Sequence, residues 1–125
     1  MSKVVGFGDF LVRLSTPGYR RFIQADQFEI NYTGAEANVC VSLSMMGVKT
    51  EFVTRLPDND IARAGLSQLQ KYGVGVKHVV YGGERMGVFY LEKGASQRPS
   101  KVVYDRKYTS IAKASIDDFN WDEIF

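Results

Sequence analysis

Three short stretches of this 125-residue chain carry residue types that can bind a ligand or take part in chemistry. The first is Gly6-Phe7-Gly8-Asp9, at the end of an apolar opening run. If that run is a strand of an open α/β sheet, its carboxyl end is where ligands bind. A dinucleotide loop fits poorly. Leu11 stands where the third glycine of a G-x-G-x-x-G fingerprint belongs, Asp9 would repel a pyrophosphate, and no helical pattern follows. A carboxylate there is suited to accepting hydrogen bonds from hydroxyl groups; the alternative is a strand-end turn with a solvated Asp9. The second stretch, 33–38, reads Thr-Gly-Ala-Glu-Ala-Asn. Gly34 lets backbone approach a ligand closely. Asn38, one turn into a helix, offers the donor and acceptor that a polyol needs, unless the stretch merely starts the helix. The third is a strand pair holding Tyr90 and Tyr104, with Arg106 two residues on. Residues i and i+2 share a strand face, so Tyr104 and Arg106 point one way and Asp105 the other. A guanidinium beside a tyrosine can grip a carboxylate with two parallel bonds. A surface pair between Arg106 and a nearby acid is the competing reading.

What is scarce narrows the chemistry. Cys40 is the one cysteine and His78 the one histidine, so neither a cysteine metal cluster nor a multi-histidine zinc site can be built. Sixteen basic and 14 acidic residues give a net charge of +2, no footprint for nucleic acid or a membrane surface. The longest run without a charged residue, 37–48, has 12 residues, too few to span a bilayer, which takes about 20. The first residues lack the pattern of a signal peptide, and the expectation is a cytoplasmic protein. Hydrophobic residues at 45% and charged residues at 24% describe an ordinary globular chain of one domain.

The elements that must position these groups follow from the patterning. Strands are expected at 3–9, 10–14, 28–32, 49–56, 76–81, 86–91 and 101–106. A turn at 16–19 has Pro17 at its first central position and Gly18 free to take positive φ. Residues 34–47 read as a buried helix, apolar nearly all round and stopped by Gly47. A second helix spans 61–72, with Ile61, Gly65, Leu69 and Tyr72 on one face, and a third spans 115–125. Cys40, Met45 and Met46 are expected in the core, His78 on a strand surface, and Arg20 and Arg21 in a solvated turn. The order suggests an α/β fold, a parallel layer carrying an antiparallel accessory sheet. Trp121, Ile124 and Phe125 have nothing after them to cover them, so the chain reads as one part of something longer.

These pieces together resemble the PfkB, or ribokinase-like, family of sugar kinases. The resemblance runs through 34–47, Gly-Ala-Glu-Ala-Asn-Val-Cys-Val-Ser-Leu-Ser-Met-Met-Gly, then Thr54-Arg55-Leu56 and Asp58-Asn59-Asp60. Leu56-Pro57 stands where the family often has glycine before its acidic pair. Gly8-Asp9 with 10–15, the 34–38 segment, Tyr90 and Val103-Tyr104-Asp105-Arg106 resemble the branch acting on 2-keto-3-deoxygluconate, with fructokinases next.

The resemblance implies the N-terminal part, 1–125, of one ribokinase-like domain: a parallel sheet with flanking helices and an antiparallel β-lid from roughly 9–33 and 86–107. It places Asp9, Gly34, Ala35, Asn38, Tyr90, Tyr104 and Arg106 on substrate-contact positions. It implies a sugar-acid substrate, ATP and Mg2+ bound outside this chain, no metal site within it, and a homodimer paired through the lids. The family's catalytic Gly-Ala-Gly-Asp motif opens a helix near the C-terminus. Gly6-Phe7-Gly8-Asp9 only imitates its spelling, so Asp9 is expected to bind sugar, and the catalytic base to lie beyond Phe125. A non-catalytic sugar-binding or dimerisation module is the alternative from another class.

Overall fold

The computed structural model describes residues 2–95 and 97–125. The chain runs β1 (Val4–Phe7), β2 (Leu11–Ser15), β3 (Glu29–Thr33), α1 (Ala35–Met45), β4 (Thr50–Val53), β5 (Arg55–Leu56), α2 (Asp60–Lys71), β6 (Val80–Tyr81), β7 (Gly87–Glu92) and β8 (Lys101–Asp105). A 3-10 turn at Ile116–Asp118 and a one-turn helix α3 (Trp121–Ile124) follow. The continuous helix expected at 115–125 is therefore two short pieces. Asn120 breaks it, and its side chain accepts the Glu123 amide to start α3.

One layer is parallel. β1 pairs with β4, Val4 opposite Thr50 through Phe7 opposite Val53, and β5 pairs with β6. Gly75 extends the ladder by bridging to Glu51. Phe52 and Val53 are both fully buried although they point to opposite faces, as expected of a sheet covered on both sides. Phe52 packs in a core with Ala37 and Cys40 of α1 and Ala62, Leu66 and Leu69 of α2. Val53 packs with Phe119 and Ile124 from the final segment. The strand expected at 76–81 shrinks to Val80–Tyr81, because the Val79 amide turns back to the Val76 carbonyl.

That turn also moves His78 off the strand surface where it was expected. Its side chain is nearly buried, with Nε2 3.5 Å from Glu51 Oε2. Glu51 is itself buried and also meets Lys3 at 3.9 Å and Lys77 at 3.6 Å. Three cationic or protonatable groups thus surround one desolvated carboxylate.

Helix α1 is less buried than its composition suggests. Only Ala37 and Cys40 are covered, while Met45 and Met46, expected in the core, are each 71% exposed. The helix rests on β1 and β4 along one stripe, with Val41 half-buried against the same core. Cys40 is in the core, and its thiol donates to the Glu51 carbonyl at 3.7 Å; burial pushes its pKa up. The buried face of α2 is Ala62, Gly65, Leu66 and Leu69, which leaves Ile61 and Tyr72 exposed instead of on the packed stripe. Gly65 sets that rotation: a Cβ there would stand 2.6 Å from the Tyr32 ring and 2.8 Å from that of Phe10.

The second sheet has the order β3-β2-β7-β8. It is mixed, where an antiparallel sheet was expected. Its two outer pairs are antiparallel, but its central pair, β2 with β7, is parallel. The reason is topological. β2 follows β1 and β7 follows β6, so both leave the parallel layer in the same sense, and β3 and β8 return alongside them. In the turn after β2, the Arg20 amide bonds to the Pro17 carbonyl, so Gly18, at φ +54°, is the first central residue rather than Pro17.

Candidate substrate site

The site is built where the two sheets meet. β1 ends under the start of α1, with Gly6 and Gly8 packed against Cys40 and Glu36. Asp9 then links β1 to β2. Gly34 has extended backbone, at φ 179°, that any residue could adopt. Glycine is required for space, since a Cβ would collide with the Asp9 carbonyl oxygen. The close approach anticipated toward a ligand is thus made first to the chain itself, and it draws the start of α1 onto Asp9. Asn38, one turn in, donates from Nδ2 to Thr33 Oγ1 at 3.2 Å, which orients its amide and leaves Oδ1 as an acceptor.

The Asp9 carboxyl titrates above the ordinary aspartate value, chiefly because burial desolvates it. The Phe10 amide and the Arg106 charge pull the other way, and Glu36 adds to the rise. Asp9 and Arg106 are thereby electrostatic neighbours. Arg106 lies just past β8 with its guanidinium 4.5 Å from the Tyr104 ring centre. Among the described residues it makes no ion pair. Asp105 faces away, pairing with Arg85 at 2.9 Å.

The register separates the two faces of the mixed sheet. Facing residues share a side, so Arg13, Asn31, Phe89 and Tyr104 form one row. Thr33, Leu11 and Gly87 lie in the next, continued by Arg106. Gly87 is covered by Leu11 and Arg106, and a side chain there would displace both. This is the face that carries Tyr104, Arg106 and the Thr33 hydroxyl that holds Asn38. Tyr90 pairs with Val103 and lies on the opposite face, its ring 5.7 Å from Phe28. Gly34, with Ala35 and Asn38 after it, thus adjoins Asp9, and Arg106 acts on Asp9 electrostatically, while the register sets Tyr104 and Arg106 on one face of the sheet and Tyr90 on the other, with Phe89 opposite Tyr104. Arg13 and Phe89, on the same face as Tyr104, were not singled out from sequence. Strand alternation would have grouped them only with the pairing register in hand.

A cleft of about 580 Å³ opens between β3, α1 and α2, lined by the apolar Ile30, Val41, Met45 and Leu69 and the polar Asn31, Asn38, Ser42 and Gln68. It meets the site through Asn31 and Asn38.

A parallel layer packed against helices, with a mixed four-stranded sheet built from strands that continue out of it, defines an α/β protein with an accessory sheet. The match to the pfkB family of carbohydrate kinases extends over residues 1–125, and the chain belongs to that family. It is 33% identical over 122 residues to the 2-dehydro-3-deoxygalactonokinase of Haloferax volcanii, covering 97% of this chain and 38% of that protein. It is 30% identical over 122 residues to the 2-dehydro-3-deoxygluconokinase of Thermoproteus tenax, covering 94% and 37% respectively. The crystal structure of 2-dehydro-3-deoxygluconokinase from Thermotoga maritima superposes with a TM-score of 0.96 at 48% identity, over 99% of this chain and 38% of that one. The chain thus spans rather more than a third of the length of these relatives. No helix among the described residues is long and apolar enough to cross a membrane, and no group of three His, Cys, Asp or Glu side chains there could hold a metal ion.

The raised pKa of Asp9 makes a signed prediction. An ionised Asp9 destabilises the fold at any pH above its folded pKa, and that cost disappears below the ordinary aspartate value of 3.8. Asp9→Asn is therefore expected to raise the melting temperature of the complete gene product at neutral pH, with the gain shrinking as pH falls through the raised pKa toward 3.8. A gain that is constant with pH, or a loss at pH 7, would show that Asp9 is not held ionised at such a cost.

Proposed function

We propose that this chain is the sugar-binding and lid part of an ATP-dependent kinase for 2-keto-3-deoxy sugar acids. The observation that carries the reading is Arg106, stacked on Tyr104, without an ion-pair partner among the described residues, beside hydroxyl-binding Asp9 and Asn38. A sugar acid has matching ends: a carboxylate for a guanidinium and hydroxyls for a carboxylate and an amide. The names of the relatives agree with that substrate class. Phosphoryl transfer to the far primary hydroxyl is mostly positioning and charge stabilisation. Asp9, Gly34, Ala35, Asn38, Tyr104 and Arg106 supply the positioning. The base, ATP and Mg2+ are assigned to no residue of this chain, and a cytoplasmic setting fits such metabolism.

The opposite face of the mixed sheet supports a homodimer. Phe28, Ile30 and Val103 there are 43%, 55% and 45% exposed, alongside Tyr90 and Leu14, and β3 and β8 leave free edges. A second copy would cover this strip.

Arg106→Ala in the complete gene product is expected to cost roughly 2–4 kcal/mol in kcat/KM for the sugar acid and far less for fructose, with Arg106→Lys restoring only part. Equal losses on both sugars would mean that Arg106 is structural. The 125-residue chain alone should show no ATP-dependent phosphorylation in a coupled ADP assay; turnover proportional to the amount of this chain would place the base within it. Sedimentation should find a dimer at micromolar concentration and a monomer for Ile30→Asp. A wild-type monomer would remove the partner reading.

A further inference from the structure

The site face carries a second guanidinium that the reading above does not use. Arg13 sits on β2, one of the two central strands, in one row with Asn31, Phe89 and Tyr104. Its Nε is shut off from solvent and has no hydrogen-bond partner, and among the described residues no carboxylate lies within ion-pair distance of the side chain. Its row neighbours Asn31 and Phe89 are uncharged. One donor of a charged group left dry and unpaired in the middle of a sheet is costly unless a ligand completes it. On the same face Arg106 is partly balanced by Asp9, with which it interacts electrostatically. Arg13 has no such balance.

The register also sets the spacing. β2 and β8 lie two strand intervals apart, roughly 10 Å, and Arg106 is displaced by one row, about 7 Å. Two arginine side chains on that lattice can meet a single group between them, over Phe89, which stands between Arg13 and Tyr104 in their row. The ligand suited to this place is an anion with more than one acceptor oxygen. Resting on the sugar-acid reading above, we infer that Arg13 is a specificity-determining residue that shares the substrate carboxylate with Arg106.

The test is calorimetric binding to the complete gene product without ATP. The ligands are 2-keto-3-deoxygluconate and its uncharged carboxamide. The wild type is expected to prefer the acid. Arg13→Met, close in volume but uncharged, should cut that preference about 30-fold. Arg13→Lys should cut it about fivefold, because an ammonium cannot fork. The double variant with Arg106→Ala should lose less than the product of the single losses, since both groups hold one carboxylate. Thermal melts identify a variant that has not folded, and Arg13→Lys then carries the test. A wild type that binds neither ligand, or both equally, overturns the sugar-acid reading and this inference with it. A preference abolished by Arg106→Ala but unchanged in both Arg13 variants overturns this inference alone.

Discussion

The parallel pairing of β2 with β7 is the constraint on which the rest of the site depends. It joins two strands distant in sequence, one leaving β1 and one leaving β6, at the centre of a four-stranded sheet. Side chains alternate strictly across such a sheet, so a slip of one residue would exchange the two faces. With Leu11 opposite Gly87, the polar and aromatic set Arg13, Phe89, Tyr104 and Arg106 falls together. The apolar set Leu14, Ile30, Tyr90 and Val103 falls on the other side. Gly87 tightens this arrangement, because its missing side chain lets Leu11 and Arg106 close over it. One face is then polar and aromatic and the other apolar, its inner end packed on the core through Val12, Leu14 and Val88.

The junction below is fixed by a different device. Gly34 meets the backbone of Asp9, so the start of α1 and the link between β1 and β2 cannot separate without losing that contact. The carboxyl of Asp9 is held partly desolvated as a result. The fold would hold this group more easily uncharged, so keeping it ionised costs stability at neutral pH.

Much of this was legible in the sequence. Gly47 marked the end of α1 by local chemistry alone, and the helix expected at 61–72 lies one residue away at Asp60–Lys71. The 34–38 segment announced a helix start with a polar residue one turn in, and i, i+2 spacing put Tyr104 with Arg106. What stayed hidden depends on partners far along the chain. Tyr90 was grouped with Tyr104 because both are tyrosines on adjacent strands, yet the register sets them on opposite faces. The direction of β7 against β2 was hidden for the same reason. Met45 and Met46 looked like core because a composition dense in apolar groups does not say how many layers will cover a helix. His78 looked like a strand residue until the bond between Val79 and Val76 turned the chain.

Cys40 gives the molecule an internal clock. The lone thiol lies sealed between α1 and the parallel layer, tied to the Glu51 carbonyl, with its proton held more firmly than usual. Only a thiolate reacts readily with alkylating reagents, so in the closed state the sulfur is protected both by burial and by protonation. It becomes labelled when α1 lifts from β1 and β4, and at no other described cysteine can the reagent compete. Because the same helix begins on Gly34 and carries Asn38, the rate at which that sulfur is captured measures how often the junction of α1 with the Asp9 link comes apart.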